Sequence, residues 1–145
     1  MDKSEVMAFI KSCLDELGIN YDTCDDCINI TFENDDLFPI NVSIFPNENI
    51  ISSFAEIDDM EIPSNRRSVV LEYINNYSCK GIEDDGNFNA YVFIYTDDET
   101  GKDFIHAYSS TPVWETMGSD QFSAFTLSTV RALNAVMRDI FRLTL

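Results

Sequence analysis

The residues with the most obvious chemical potential are Cys24 and Cys27, held in a C-x-x-C spacing by Asp25 and Asp26. Such a pair could ligate zinc or cycle between dithiol and disulfide. Zinc would need two further ligands at suitable spacing; there is no second C-x-x-C, and His106 is the only histidine. The two aspartates oppose a thiolate, which argues against redox work, so both cysteines are expected to be small apolar residues flanking a tight turn. Asp22, Asp26 and Glu33 fall at the first, fifth and twelfth positions of a calcium-loop pattern. The sixth position is Cys27, where that loop needs a glycine for its sharp turn, and the third is Cys24. Glu83-Asp84-Asp85-Gly86 is expected to be a turn, not a calcium site.

His106 lies mid-strand among aromatics, with no serine or cysteine nucleophile placed beside it by spacing. The carboxylates crowd into turns, where burial cannot tune them for proton transfer. Neither a glycine-rich phosphate loop nor an H-E-x-x-H occurs. The sequence is therefore read as non-enzymatic, with no cofactor and no metal.

The elements that would position these residues are marked by periodicity. An apolar stripe of Val6, Phe9, Ile10, Cys13, Leu14 and Leu17 predicts a helix over 3–17, with Asp2 and Glu5 spaced as a capping box and Gly18 as its stop. Strands follow at 19–24, 27–33, 38–45 and 49–57; Ile28, Ile30 and Phe32, then Phe38, Ile40, Val42 and Ile44, alternate with polar neighbours. That period of two predicts an antiparallel sheet with one covered and one wet face. A second helix is expected from Ser64, as N-cap, to Gly81, with Val69, Val70, Tyr73, Ile74 and Tyr77 on its apolar side. Cys13 and Cys79 fall on helix faces and are expected to be partly buried. The last helix is expected over 119–143, with a broad stripe from Phe122 through Phe125, Thr126, Thr129, Val130, Leu133, Val136, Met137 and Ile140 to Phe141, and Arg131, Arg138 and Arg142 opposite.

Between the second and last helices lies a hairpin, 88–96 and 103–110, that breaks the one-wet-face rule. Ala90, Val92 and Ile94 share one side with Ile105 and Ala107, while Tyr91, Phe93 and Tyr95 share the other with Phe104, His106 and Tyr108. Both sides are apolar, so each must be covered or one is a patch. Two readings stay open: the last helix covers the rings, or the rings, with Trp114 in the following loop, contact a protein partner or a second copy of the chain.

The chain of 145 residues is long enough for one domain spanning 1–145, and carries a formal net charge of −17. Residues 1–100 hold 22 of the 26 acids, and residues 101–145 are neutral. Such acidity disfavours nucleic acid, whose phosphates need cations, and suits a basic protein partner. The opening MDKSEVMAF lacks the apolar core of a signal peptide, and no apolar run is long enough to span a bilayer, so a cytoplasmic protein without membrane contact is expected.

Val70-Leu71-Glu72-Tyr73-Ile74-Asn75-Asn76, then Asp84-Asp85-Gly86-Asn87-Phe88 leading into the hairpin Tyr91 to Tyr108, resembles the middle of YbjN-like domains. That family shares the fold of type III secretion chaperones. The resemblance implies a sensory-transduction regulator or chaperone-like binding protein and supplies no catalytic residue. The expectation is an α+β fold, order α-β-β-β(-β)-α-β-β-α, with an antiparallel sheet and helices packed mainly on one face. The expected function is a small acidic adaptor or chaperone, a homodimer, that binds a protein partner through the aromatic strand face and the last helix. The alternative is an acidic inhibitor or immunity protein that neutralises a basic toxin or nuclease.

Overall fold

The computed structural model describes residues 1–34, 37–57, 60–84 and 90–145. The acidic turns Asp35-Asp36 and Asp58-Asp59, the stretch 85–89, and the side chains of residues 34, 37, 38, 77–84, 90, 125, 128, 129 and 132 (Phe38, Tyr77, Cys79, Glu83, Asp84, Phe125 and Thr129 among them) lie outside the described residues.

Helix α1, Lys3–Glu16, begins as its capping box dictates. Asp2 Oδ1 accepts the Glu5 N–H at 2.8 Å and Glu5 Oε1 accepts the Asp2 N–H at 3.4 Å, which satisfies donors that the first turn cannot pair. Val6, Ile10, Cys13 and Leu14 are buried, whereas Leu17 follows the helix and is exposed. Gly18, at φ +70°, turns the chain away.

Among the described residues six strands follow: β1 Asp22–Thr23, β2 Ile28–Asn34, β3 Leu37–Asn47, β4 Ile50–Glu56, β5 Ala90–Thr96 and β6 Asp103–Pro112. They form one antiparallel sheet in the order β1-β2-β3-β4-β6-β5, so β6 is flanked by strands on both sides and β5 is an edge. The strand expected over 19–24 shrinks to two residues. Pro39 and Pro46 are tolerated inside β3 because each sits where β2 makes no regular pair: Pro39 faces the register shift between Phe32 and Asn34, and Pro46 lies past the last pair, Ile28 with Ile44.

The link from β4 to β5 is helix α2, Arg67–Asp84. It departs from the sequence reading at both ends. Ser64 is no cap but opens a 3₁₀ turn, Ser64–Arg66, after Pro63. Gly81 does not stop the helix, so Glu83 and Asp84 belong to its last turn instead of a loop. Val70 and Ile74 are buried, Tyr73 is half-buried and Val69 is exposed. The last helix is interrupted: α3, Ser119–Phe122, passes through a π-helical turn, Ser123–Leu127, into α4, Ser128–Thr144. In that turn the buried Thr126 hydroxyl meets Thr111 Oγ1 at 3.2 Å, tying the helix to the end of β6.

One core joins these layers. Ile28, Ile30, Ile40, Val42, Ile44, Ile51, Ala55, Ile105 and Ala107 from the sheet meet Val6, Ile10, Val70, Val130, Leu133, Met137 and Ile140 from the helices. Ser53, Ala55, Ala107 and Ser109 are small, which leaves room for α4 to lie across β4 and β6. All these strand residues share one face, and the fold is α+β with the helices on that face. None of the described helices is long and apolar enough to cross a membrane.

Candidate functional site

Register decides which face of the β5–β6 hairpin is covered. Val92 pairs with Ala107 and Ile94 with Ile105, and Ala107 in turn pairs with Ala55 of β4, so these residues continue the core. The alternate positions, Tyr91 with Tyr108, Phe93 with His106 and Tyr95 with Phe104, therefore point away from every helix. The last helix does not cover the rings. It lies across the sheet from them with the described residues of its own stripe buried, so the ring face and the last helix cannot form one contact surface.

His106 is the centre of this face. Tyr95 stacks on it at 5.1 Å between ring centroids with planes 8° apart, while Phe93 at 5.7 Å and Phe54 at 5.0 Å meet it edge-on. Burial among these rings pulls the imidazole pKa below its ordinary 6.5, opposed by the charge of Glu56. The ring is therefore neutral at pH 7 and behaves as one more aromatic group. Tyr108 is held by its hydroxyl, 3.2 Å from Ser52 Oγ. Tyr91 is 66% exposed, Tyr95 47% and Phe93 41%, values that a core could not tolerate.

The scaffold fixes the hairpin from its turn. Asp97 accepts the Glu99 N–H at 3.1 Å and the Thr100 hydroxyl at 3.1 Å, and Gly101 at φ +70° completes the bend. Thr96 Oγ1 donates to Asp103 at 2.6 Å, and Arg67 Nε donates to the same carboxylate at 3.0 Å, linking hairpin and α2. These bonds, the Thr96 hydroxyl first, lower the Asp103 pKa.

Six of the seven residues singled out in the sequence thus share one surface: Tyr91, Phe93, Tyr95, Phe104, His106 and Tyr108. Trp114 does not belong to the ladder; it follows β6, where its carbonyl accepts the Met117 N–H at 3.0 Å. Sequence reasoning missed Phe54, because β4 reads Ile-Ile-Ser-Ser-Phe-Ala-Glu and its broken alternation assigns no face. Phe45 and Ile50, both exposed, extend the apolar surface from the β3–β4 turn. Across the sheet the same face turns polar: Thr31 donates to Asn41 at 3.0 Å and Ser43 to Asn29 at 2.7 Å. Its charged positions on the described strands are Asp22, Glu33 and Glu56.

Cys24 and Cys27 flank a tight turn as expected, with the Cys24 N–H donating to the Cys27 carbonyl at 2.9 Å. Burial first, then the neighbouring Cys24 thiol and last the charge of Asp26, raises the Cys27 thiol pKa to about 11. Among the described residues no group of three or more His, Cys, Asp or Glu side chains is placed to hold a metal ion.

The architecture has known counterparts. The crystal structure of YbjN from E. coli, described as a candidate transcription regulator, superposes with a TM-score of 0.60 at 18% identity, covering 93% of this chain and 87% of that one. A chain of the HopA1–SchA chaperone–effector complex gives a TM-score of 0.50 at 14% identity, covering 95% and 98%. These likenesses show the fold, which is YbjN-like and chaperone-like, as the resemblance in residues 70–76 and the hairpin implies. No family model and no curated protein matches the sequence.

Proposed function

We propose that this YbjN-like, chaperone-like fold serves as a protein-binding adaptor whose contact surface is the bare aromatic face of β4, β6 and β5. One observation carries the reading: among the described residues the helices pack on the opposite side of the sheet, so no helix covers Phe54 and the six hairpin rings, and Tyr91, Phe93 and Tyr95 are exposed. Aromatic rings concentrate binding energy in interface cores, and a rigid sheet presents them at low entropic cost. The chaperone–effector complex among the similar folds supports a polypeptide as the occupant. The charge of −17 and the three acids on the face, Asp22, Glu33 and Glu56, favour a basic client and keep the complex dispersed. The reading includes a homodimer, for which the outer edge of β5, uncharged from Ala90 to Thr96, offers unpaired backbone groups.

The acidity also supports a second reading, an inhibitor or immunity protein that occupies the cationic cleft of a basic toxin or nuclease. The two differ in the force that holds the partner. An affinity capture from the source cell, washed across a salt series, separates them. Partners held on apolar rings stay bound at high ionic strength, whereas a partner held by charge is released as the Debye length shrinks from about 10 Å at 0.1 M to about 3 Å at 1 M. Capture of no protein at any salt overturns both.

A further inference from the structure

The β1–β2 turn carries a pair of thiols that the binding face does not use. Asp22 pairs with Asn29 and Thr23 with Ile28. One step further along this register Cys24 stands opposite Cys27, and the 2.9 Å bond from the Cys24 N–H to the Cys27 carbonyl closes the two-residue turn. Directly opposed residues of an antiparallel pair have Cα atoms about 5.5 Å apart, inside the roughly 4.4–6.8 Å that a disulfide spans. Both sulfurs are gathered on one side chain: Asn29 Nδ2 donates to Cys24 Sγ at 2.8 Å, and Cys27 Sγ donates to Asn29 Oδ1 at 3.8 Å. Asn29 is itself anchored by Ser43 at 2.7 Å, so the amide that positions the thiols is fixed to β3. The cysteines are also unequal. Cys24 is exposed and Cys27 is buried, an arrangement of one attacking and one resolving sulfur. Cys13, by contrast, sits on the buried face of α1.

We propose that Cys24 and Cys27 are a reversible modification site, closed to a disulfide by a low-molecular-weight disulfide such as glutathione disulfide. The exposed Cys24 sulfur attacks one sulfur of the oxidant. The oxidant's S–S bond breaks, one glutathione leaves, and a mixed disulfide forms on Cys24. Cys27 then attacks the Cys24 sulfur, the mixed disulfide breaks, and the second glutathione leaves. The two thiol protons of the protein pass to the two released thiolates, so two protein thiols are oxidised as one oxidant is reduced. The bridge closes only the short loop 24–27, which restricts little of the unfolded chain. Its effect is local, on the turn that ties β1 to β2.

The test is oxidation of the folded, full-length protein with mixtures of oxidised and reduced glutathione, followed by acid quench, alkylation and peptide mapping by mass spectrometry. The expected product is an intramolecular Cys24–Cys27 bridge that dithiothreitol reverses, with Cys13 left as a thiol. Cys27→Ser should stop at one glutathione on Cys24, and Cys24→Ser should lose the rapid modification. Because burial raises the Cys27 thiol pKa, closure of the mixed disulfide should quicken as the pH rises from 7 to 9. A mixed disulfide that persists in the unaltered protein, a bridge that joins Cys13, Cys79 or a second molecule, or two thiols that remain reduced at the highest oxidant ratio would overturn the proposal.

Discussion

The two sides of the β5–β6 hairpin are built from the same two strands and differ in everything that follows. On one side Val92, Ile94, Ile105 and Ala107 are aliphatic and modest in size; Ile105 and Ala107 are buried in the core, and Val92 and Ile94 are half-buried against it. On the other all six are rings that no helix covers: Tyr91, Phe93 and Tyr95 are exposed, while Phe104, His106 and Tyr108 are half-buried among their neighbours. A side that packs against helices needs shapes that interlock at high density. A side that meets a partner gains from broad, stiff rings with few rotamers and some polar atoms. The contrast teaches that apolar character alone does not mean core; the kind of apolar residue separates internal packing from external contact.

The largest expected effect breaks the covered side. Ile105→Ala leaves a cavity where the residue is 3% exposed. It should cost about 3 kcal/mol of folding free energy, read as a lowered urea midpoint with an unchanged slope.

A smaller effect tests the ring side through its one titratable member. The His106 pKa is depressed in the folded state, so the stabilisation from the neutral ring is fully present above pH 6.5 and is lost as pH falls through the folded value. Acidification from pH 7 to 5 should therefore destabilise the parent protein more than His106→Gln, compared by thermal melts. Tyr95→Ala uncovers the stacked face of the imidazole, so the His106 titration followed by NMR should move back up towards 6.5. The smallest effect belongs to the polar end of the open face. Thr31→Ala deletes an exposed hydrogen bond to Asn41 and should change stability by no more than about 1 kcal/mol in the same urea assay.

Much of this arrangement was legible in residue order. The alternation in β2 and β3 announced a sheet with one covered face, and the capping box with Gly18 bounded α1 to within a residue. Local signals were weaker where tertiary contacts decide. Gly81 looked like a helix stop, yet α2 continues to Asp84; glycine permits a left-handed end without requiring one. The π turn at Ser123–Leu127 leaves no trace in a stripe that reads as one continuous helix. The hairpin's covered side could not be chosen from its own pattern, because both sides are apolar. The answer lies in the pairing of β6 with β4, a contact between residues about fifty positions apart. The same pairing brings Phe54 into the ring cluster. For the thiols, the spacing was visible, but Asn29 as their common partner depends on the β1–β2 register.

The central claim is that the rings are a contact surface and not a hidden part of the core. Phe93→Asp addresses it most directly, with urea unfolding and capture of protein partners measured on the same sample. The account predicts a folded protein whose stability lies within about 1 kcal/mol of the parent. It also predicts that partner affinity falls by a factor of about 30 or more, the loss of one interface hot spot. A variant that unfolds as a core mutant does, or one that stays folded and holds the partner with undiminished affinity, would contradict it.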